Sequence, residues 1–526
     1  MYRKVLVAAT LAVTSVAAPA GPSSLALELE ANISAAVLAG ASQLNIPSGE
    51  FLFSNHTLKI QDARGLHITT AGPTTFIFYY GSGVNLVNCY NSTFEGITID
   101  SETANFAQGL VTSVGSSSFE AEFDARYLAP NITDPASPFH SPGGLSGAKV
   151  AFWEPESRRL VQFVDPFPSA SNQFMANASL VDGTSDQWRI TLQAPVTGDP
   201  VENSTLVTIF PRRGLTWTLT NSSAIITRKI SIFAGGNMGF VEKLGAGNNV
   251  YDRVSVSRPP TDYHFLPDRL MALNADGFHS DSVGAGPTLR DSEISFTGDD
   301  FLNIHNRMNV ICKRLSTDAL VLIDVAAGAL ADLGPGDELK FFQLNADSFI
   351  ESAKISSVSR VPSDDPLVDE CAEVPSLMQE PPYNANLLGI TVPTDYLFVV
   401  HFDAPVSSIV SNASFVFNLV NDEQHSAVHA LVANNHFHDG FSRMALLKSI
   451  ACTYTGNTVE RARGVHVYSE QSWLEGALGI RDTIIENNTI VDDLSGSIDV
   501  MVGLGNITCD DNVFIEQGER KVVSGC

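Results

Sequence analysis

The sequence predicts an all-β protein: a parallel β-helix into which two smaller β-domains are inserted. Apolar runs of about 3–5 residues alternate with polar turns, and no helices separate them, which excludes a wound β-α-β sheet. A turn of the type Asn-Asn-x-apolar recurs from Asn434, Gly456, Asn487 and Asp511, at spacings of about 22, 31 and 24 residues. Such a period is typical of a β-helix, whose turns bury their apolar sides only by stacking. We expect the corner asparagines to hydrogen-bond along the stack; a β-sandwich with chance spacings is the alternative.

The chain divides into six predicted segments. An amphipathic pattern over residues 25–45 predicts a helix that caps the stack. Longer alternating strands with hairpin-like turns replace the short period twice, which predicts two small β-barrels or β-sandwiches. The segments are a signal peptide at 1–20, the cap and first turns at 21–106, a first insert at 107–216, β-helix at 217–307, a second insert at 308–408 and the last β-helix turns at 409–526.

The N-terminus and the glycosylation tripeptides predict export. Arg3 and Lys4 precede an apolar run of about 12 residues and a small-residue segment, which fits a signal peptide and is too short for a membrane span. Asn-x-Ser/Thr tripeptides support a eukaryotic secretory route. They begin at Asn32, Asn55, Asn91, Asn131, Asn177, Asn203, Asn221, Asn412, Asn487 and Asn506. We therefore expect a secreted, extracellular glycoprotein that does not associate with membranes.

The net charge and the cysteine content limit the classes of partner and metal site that we expect for this protein. The net charge of -27 and the pI of about 4.7 disfavour nucleic acid, because an acidic chain repels phosphate backbones. The acidity also suits solubility in an acidic medium. None of the 6 cysteines forms a C-x-x-C motif, so zinc and redox sites have little support. Proximity suggests the disulfides Cys312–Cys371 and Cys509–Cys526, whereas the sequence leaves the oligomeric state open.

The candidate site lies in two successive polar turns. Asp276 lies in Asn-Ala-Asp-Gly, and Asp299 and Asp300 follow Gly298. Asp276 and Asp299 are one period apart, so neighbouring turns about 4.8 Å apart would hold them side by side. Clustered carboxylates cannot all ionise freely, so one keeps a proton. An acid and a base at one place are what cleavage of a glycosidic bond requires.

Further polar side chains are candidates for binding a sugar. A tryptophan and a glutamate in a loop that lengthens one turn suit ring stacking and hydroxyl recognition. The predicted substrate-binding residues are His279, Asn303, His305, Arg443, Trp473 and Glu475. The alternatives are Asp-Gly turns with a purely geometric role, a calcium site made by the three acids, and a tryptophan that only packs its loop. We expect neither a metal nor a cofactor.

The acidic turns resemble those of the pectin-lyase-like β-helix glycosidases. Asn274-x-Asp276-Gly followed by Gly298-Asp-Asp300 is similar to the polygalacturonases of glycoside hydrolase family 28, but the Gly-His-Gly and Arg-Ile-Lys motifs of that family are missing. Asp276-Gly-Phe-His279 and Asp299-Asp-Phe-Leu-Asn-Ile-His305 resemble family 110 more closely. Elsewhere in the mature chain the likeness is one of pattern. The resemblance implies a right-handed parallel β-helix with two inserted β-barrels and an inverting, exo-acting α-galactosidase. We expect Asp299 and Asp300 to supply the general acid and base, with Asp276 as a third catalytic acid.

Three other functions stay open at this point. A polygalacturonase is the first. A polysaccharide lyase would need a lysine or arginine base, and usually calcium near its uronates, and no lysine lies near the acidic turns in the sequence. A non-catalytic carbohydrate-binding β-helix would keep the scaffold without needing three convergent acids. A carbohydrate is the expected partner in each case.

Overall fold

The chain is an all-β protein whose main body is a right-handed parallel β-helix, as the sequence predicts. The computed structural model describes residues 21–523 except 136, 141–147, 162–174, 194–203, 326–327, 344–347, 373–395, 407–417, 469–474, 477–479, 492–497, 501–504 and 517–518. The predicted signal peptide, Trp473 and Cys526 therefore lie outside the described residues. The helical segments described are the α-helices Ser24–Leu38 and Pro366–Cys371 and the 3-10 turns Leu330–Asp332 and Glu423–His425.

Each turn of the β-helix supplies one strand to each of three sheets, here called sheets I, II and III in the order the chain visits them. Sheet I has Gln43–Ile46, His67–Thr70, Thr93–Glu95, Ile226–Arg228, Val250–Asp252, Thr288–Arg290, Leu431–Ala433, Thr453–Thr455, Thr483–Glu486 and Ile507–Asp510. Sheet II has Gly49–Ser54, Thr74–Phe78, Ile97–Ser101, Ser231–Ile232, Ser255–Val256, Glu293–Ser295, His436–His438, Thr458–Glu460, Thr489–Val491, Asn512–Glu516 and an antiparallel last strand, Glu519–Val523. Sheet III has Leu58–Gln61, Val84–Val87, Trp217–Thr220, Phe240–Lys243, Phe278–Asp281, Leu302–His305, Arg443–Lys448, Arg463–Val467 and Ile498–Val500.

A ladder of buried asparagines holds the corner between sheets I and II in the C-terminal turns. The side-chain Nδ2 of Asn435 donates to Oδ1 of Asn457 at 2.9 Å, Asn457 to Asn488 at 3.0 Å, and Asn488 to Asn512 at 2.9 Å. The residue before each ladder asparagine has a positive φ, which Gly, Asn and Asp tolerate best. The predicted stacking of corner asparagines is thus confirmed, and it explains why the motif has two small polar positions.

The interior of the β-helix is one continuous apolar core. Side chains alternate along each short strand, so that every second residue points inward. The helix Ser24–Leu38 covers the N-terminal end with its buried Ala26, Leu29 and Ile33. Its first turn is capped by Ser23, whose hydroxyl accepts a hydrogen bond from the Ala26 amide.

The first inserted domain is a six-stranded antiparallel sheet with its own core. Its strands are Ala107–Val114, Ser118–Phe123, Lys149–Trp153, Met175–Leu180, Gln187–Leu192 and Leu206–Phe210. A second apolar cluster, which includes Trp153, Phe210 and Met271, packs this sheet onto the β-helix. The docking carries Lys149 and the segment after Phe210 to the corner between sheets II and III.

The second inserted domain is a closed six-stranded antiparallel barrel that leaves the β-helix just after His305. Its strands are Asn309–Ser316, Ala319–Ile323, Glu338–Gln343, Ser348–Arg360, Leu397–Phe402 and Asn418–Asp422. The predicted disulfide Cys312–Cys371 is present and ties the first strand to the short helix. Cys509 is also disulfide-bonded, while its predicted partner Cys526 lies outside the described residues.

No helix among the described residues has the length and apolar character needed to cross a membrane.

Candidate active site

The three predicted catalytic aspartates meet at the corner that leads into sheet III. A carboxylate oxygen from each of Asp276, Asp299 and Asp300 lies within 4.8 Å of the others. The expected pairing of Asp276 with Asp299 across neighbouring turns is wrong by one residue. Phe278 pairs with Leu302, and the Gly277 amide donates to the Asp300 carbonyl, so Asp300 is the residue aligned with Asp276. Asp299 precedes the aligned position and faces the first inserted domain.

Close packing explains the glycines in the two acidic motifs. A Cβ on Gly277 would come within 2.2 Å of Ile294 Cγ2 and 2.9 Å of the Phe301 carbonyl oxygen. A Cβ on Gly298 would lie 2.6 Å from the Asn274 carbonyl oxygen. All three distances are too short for any residue other than glycine unless the neighbouring groups move. The Asp-Gly and Gly-Asp-Asp patterns therefore let adjacent turns approach closely enough to bring their acids together.

Arg443 keeps Asp300 ionised. It occupies the position aligned with Asp300 in the next turn of the β-helix. Arg443 donates from Nε to Oδ1 at 2.9 Å and from Nη2 to Oδ2 at 2.9 Å, and its amide donates to Oδ1 at 3.0 Å. Burial alone would raise the pKa of Asp300, but the charge and hydrogen bonds of Arg443 outweigh it and lower the pKa. Arg443 also donates to the Tyr468 hydroxyl at 2.9 Å.

Asp299 meets two cations from the first inserted domain that sequence reasoning did not find. Lys149 Nζ lies 3.1 Å from Asp299 Oδ2, and Arg212 forms an ion pair with the same oxygen. Burial, followed by the positive charge of Arg212, lowers the pKa of Lys149 well below its usual range. Lys149 lies 150 residues from Asp299 in the sequence, so no local pattern could have indicated the contact.

Asp276 begins a chain of hydrogen bonds through two buried histidines. His279 Nδ1 lies 2.8 Å from Asp276 Oδ2, and His279 Nε2 lies 2.9 Å from His305 Nε2. His305 Nδ1 lies 2.9 Å from the Asn306 carbonyl oxygen. His279 is 5% exposed and His305 0%, and every ring nitrogen of the pair has a protein partner. A sugar hydroxyl would have to displace one of these partners to bind either ring.

A second charged group lies further along sheet III. Glu475 accepts hydrogen bonds from Lys448 Nζ at 2.8 Å and Asn303 Nδ2 at 3.2 Å, and lies 3.4 Å from Arg307 Nη1. Arg307 Nε also lies 3.2 Å from Asp281 Oδ2. Burial opposes ionisation of Asp281, yet the charge of Arg307 outweighs it and lowers the pKa of that group to about 2. Lys448 and Arg307 lie close enough to Glu475 to offset its negative charge.

Two groups of side chains have donor atoms close enough to surround a cation. They are Asp276, Asp299 and Asp300, and His279, Asp281 and His305. The first group already has Lys149, Arg212, Arg443 and His279 as partners, and Arg307 lies against the second. Because these protein cations compensate the negative charge, we assign no metal to either group. The carboxylates and imidazoles of the two groups are able to accept and donate protons.

The structure thus brings together Asp276, Asp299, Asp300, His279, Asn303, His305, Arg443 and Glu475, and it adds Lys149, Arg212, Asp281, Arg307, Lys448 and Tyr468. Lys448 pairs in register with His305, but the second inserted domain separates the two in the sequence. Arg212 stands at the return from the first insert to the β-helix, a position that could have drawn attention to it.

Comparison with known proteins gives only distant likenesses. No protein-family model matches the chain, and no curated protein matches it. Among solved structures, the ORF18 protein of Geobacillus virus E2 has 8% identity and a TM-score of 0.26; 90% of this chain is covered, and it spans only 53% of ORF18. The A-module of the Azotobacter vinelandii mannuronan C-5 epimerase AlgE4 has 10% identity, coverages of 96% and 97%, and a TM-score of 0.23. The A-module of the Azotobacter vinelandii mannuronan C-5 epimerase AlgE6 has 9% identity and a TM-score of 0.25, and the match covers 93% of this chain and 94% of that module. Likenesses this distant carry no argument about activity.

Proposed function

We propose that this protein is a secreted glycoside hydrolase that cleaves sugars from the ends of glycans, with α-galactosides as the first substrates to test. The observation that carries the proposal is the meeting of three carboxylates within 4.8 Å at one corner. Cleavage of a glycosidic bond needs one carboxylic acid and one carboxylate at the same place. Asp300 suits the carboxylate role, because Arg443 keeps it ionised and in a fixed orientation.

The choice of sugar and the stereochemistry rest on the resemblance to family 110. That family implies α-1,3-galactosides and inversion. Oxygen separations within 4.8 Å are nearer to the retaining spacing of about 5–5.5 Å than to the inverting spacing of about 6.5–9.5 Å. Inversion is therefore the part of the proposal that the geometry supports least. Proton NMR of the first sugar anomer released from an α-galactoside tests it directly.

A panel of α- and β-glycosides and oligosaccharides tests hydrolysis itself. We expect the wild type to release a monosaccharide and Asp300→Asn to lose about 100-fold or more of that activity, because an amide cannot accept a proton from water. Asp510→Asn is the matched control, since Asp510 is an exposed acid at the end of a sheet I strand. No release from any substrate, together with retained glycan binding, would favour a carbohydrate-binding β-helix instead.

A polysaccharide lyase is a second candidate, and Lys149 is the observation that favours it. A lyase needs a base that removes a proton beside a uronate, and cations that bind the uronate carboxylate. Lys149 has a lowered pKa, and Arg212 and Arg443 lie close to it. Incubation with uronate polymers and measurement of ultraviolet absorbance from an unsaturated product separates the two functions. Hydrolysis predicts no such absorbance, whereas a lyase predicts absorbance that Lys149→Met abolishes.

Secretion and glycosylation belong to the same proposal. In the part of the chain that the structure describes, these tripeptide asparagines are exposed: Asn32, Asn55, Asn91, Asn177, Asn221, Asn487 and Asn506. Exposure is what an oligosaccharyl transferase and a bulky glycan require. When the protein is expressed in a eukaryotic host, we expect it to be secreted into the culture medium. Its mass should fall on treatment with a peptide N-glycosidase. Retention inside the cells without glycans would contradict this part.

A further inference from the structure

The hydrogen-bonding pattern of the two buried histidines determines where their protons lie. A carbonyl oxygen only accepts hydrogen bonds, so His305 Nδ1 carries a hydrogen and donates it to Asn306 at 2.9 Å. Burial lowers the pKa of His305 to about 4, which leaves its ring neutral and its Nε2 without a hydrogen. The hydrogen in the 2.9 Å contact between the rings therefore belongs to His279 Nε2.

The other nitrogen of His279 faces Asp276 and shares a second proton with it. Burial disfavours a charge on His279, but the hydrogen bond and negative charge of Asp276 outweigh it and raise the pKa. A hydrogen therefore also lies between His279 Nδ1 and Asp276 Oδ2, and the charge of Asp276 favours its placement on His279. The other charged groups that face the two rings are Asp281 and Glu475, with Arg307 and Lys448 paired to them.

Asp299 is less suited than Asp276 to deliver a proton. Lys149 and Arg212 both contact the Asp299 carboxylate and stabilise its negative charge. Asp300 is compensated in the same way by Arg443. Of the three acids, Asp276 alone has an imidazole as its hydrogen-bond partner, and imidazoles exchange protons near neutral pH, whereas the guanidinium groups of Arg212 and Arg443 do not deprotonate there.

We propose that His279 is the proton reservoir for Asp276, and that His305 is the positioning residue that keeps this proton directed at the carboxylate. The inference rests on the proposed hydrolysis. The proton passes from His279 Nδ1 to Asp276 and on to the glycosidic oxygen as its bond to the anomeric carbon breaks. Water supplies the new oxygen on that carbon and gives a proton to Asp300. Asp300 then returns a proton to solvent, and His279 takes one up.

The dependence of rate on the leaving group tests this assignment. A poor leaving group such as an alkoxide needs protonation, whereas a nitrophenolate leaves without it. We expect Asp276→Asn, His279→Gln and His305→Gln to lose about 100-fold in kcat on alkyl or oligosaccharide substrates and less than about 5-fold on dinitrophenyl glycosides. KM should stay unchanged. Asp300→Asn should lose activity on both classes, and His436→Gln, a partly exposed histidine on sheet II away from the acidic corner, on neither.

Several outcomes would overturn the assignment. Equal losses of the histidine variants on both substrate classes would indicate a merely structural role, and a raised KM with unchanged kcat would indicate sugar binding. Loss of wild-type activity after dialysis against a chelator would place a metal ion between the two rings instead. If the wild type hydrolyses no glycoside, the proposed function has failed, but ¹⁵N NMR of histidine-labelled full-length protein still tests the protons. We expect both nitrogens of His279 and only Nδ1 of His305 to carry hydrogen; a neutral His279 would refute the inference.

Discussion

Two arginines in neighbouring turns each bind an aspartate through two side-chain hydrogen bonds, but only one of the two aspartates lies in the proposed active site. Arg443 binds Asp300 at 2.9 Å through both Nε and Nη2. Arg461 binds Asp439 at 2.6 and 2.7 Å through the same two atoms. Only Asp300 belongs to the three-aspartate corner. Because the planar guanidinium matches a carboxylate in a way that an ammonium cannot, lysine would keep the charge at either position and lose the orientation.

We expect Arg443→Lys to lower kcat/KM by about 10- to 100-fold, because a displaced Asp300 no longer lines up with water and substrate, and to lower the free energy of unfolding by about 1–2 kcal/mol. Arg461→Lys should leave kcat/KM unchanged and lower the free energy of unfolding by about 1–2 kcal/mol. Steady-state kinetics and urea denaturation of both variants make the comparison. Similar kinetic losses in the two variants would show that the Asp300 pair has no special part in catalysis.

At the same scale, the sequence indicates local groupings of residues and misses distant ones. Asp276, His279, Asp299, Asp300, Asn303 and His305 lie in two adjacent turns, so their spacing predicts that they converge. The register error arose from counting Asp276 to Asp299 as a full turn; backbone hydrogen bonds align Asp276 with Asp300. Lys149 and Arg212 reach the site only through the packing of an inserted sheet. The sequence holds no periodic signal for that packing.

At the scale of elements, the asparagine ladder explains why the C-terminal turns keep one repeating motif. Asn457 is fully buried and bonded on both sides: it accepts from Asn435 and donates to Asn488 and to the Val432 carbonyl. A turn can be lengthened elsewhere without disturbing this corner. The 31-residue spacing between Asn457 and Asn488 still gives a ladder bond of 3.0 Å. The period was therefore recognisable in the sequence even though its length varies.

Asn457→Ala should lower the free energy of unfolding by about 2–4 kcal/mol, because the buried backbone N–H of Asn435 loses its acceptor and the side-chain bonds to Asn435 and Asn488 are lost. Asn434→Gly is the control one turn away. Asn434 is exposed and has a φ of 56°, which glycine adopts freely, so its loss should change stability by no more than about 0.5 kcal/mol. Chemical denaturation followed by circular dichroism measures both; equal effects would rule out a special role for the ladder.

At the scale of the whole molecule, the β-helix supplies the acids and the inserted domains determine what surrounds them. The first inserted domain carries Lys149 to the acidic corner, and the second leaves the β-helix directly after the strand that ends at His305. Between the inserts, the short repeat in the sequence predicts stacked β-helix turns, because each turn buries its apolar residues in the same way. How an insert packs onto that stack depends on side chains far apart in the chain, and one sequence does not reveal it.

A buried acid inside the β-helix gives the whole molecule a predicted pH dependence of stability. Glu242 is 1% exposed and accepts hydrogen bonds from Ser280 at 2.7 Å, Asn249 at 2.9 Å and Tyr251 at 3.2 Å. Burial raises its pKa to about 7 despite these bonds, from an ordinary value of 4.5. Between these two values the folded protein binds a proton that the unfolded chain has released. The resulting stabilisation is complete below the lower value and is lost as pH rises through the upper one.

The wild type should therefore lose about 3 kcal/mol of unfolding free energy between about pH 4.5 and pH 8 on account of Glu242. Glu242→Gln keeps the shape and removes the titration, so the difference between variant and wild type should grow in favour of the variant across this range. Urea denaturation at a series of pH values measures that difference, and the subtraction cancels the groups that titrate in both proteins. A difference that stays constant with pH would mean that the pKa of Glu242 is the same in the folded and unfolded protein, and that Ser280, Asn249 and Tyr251 fully offset the effect of burial.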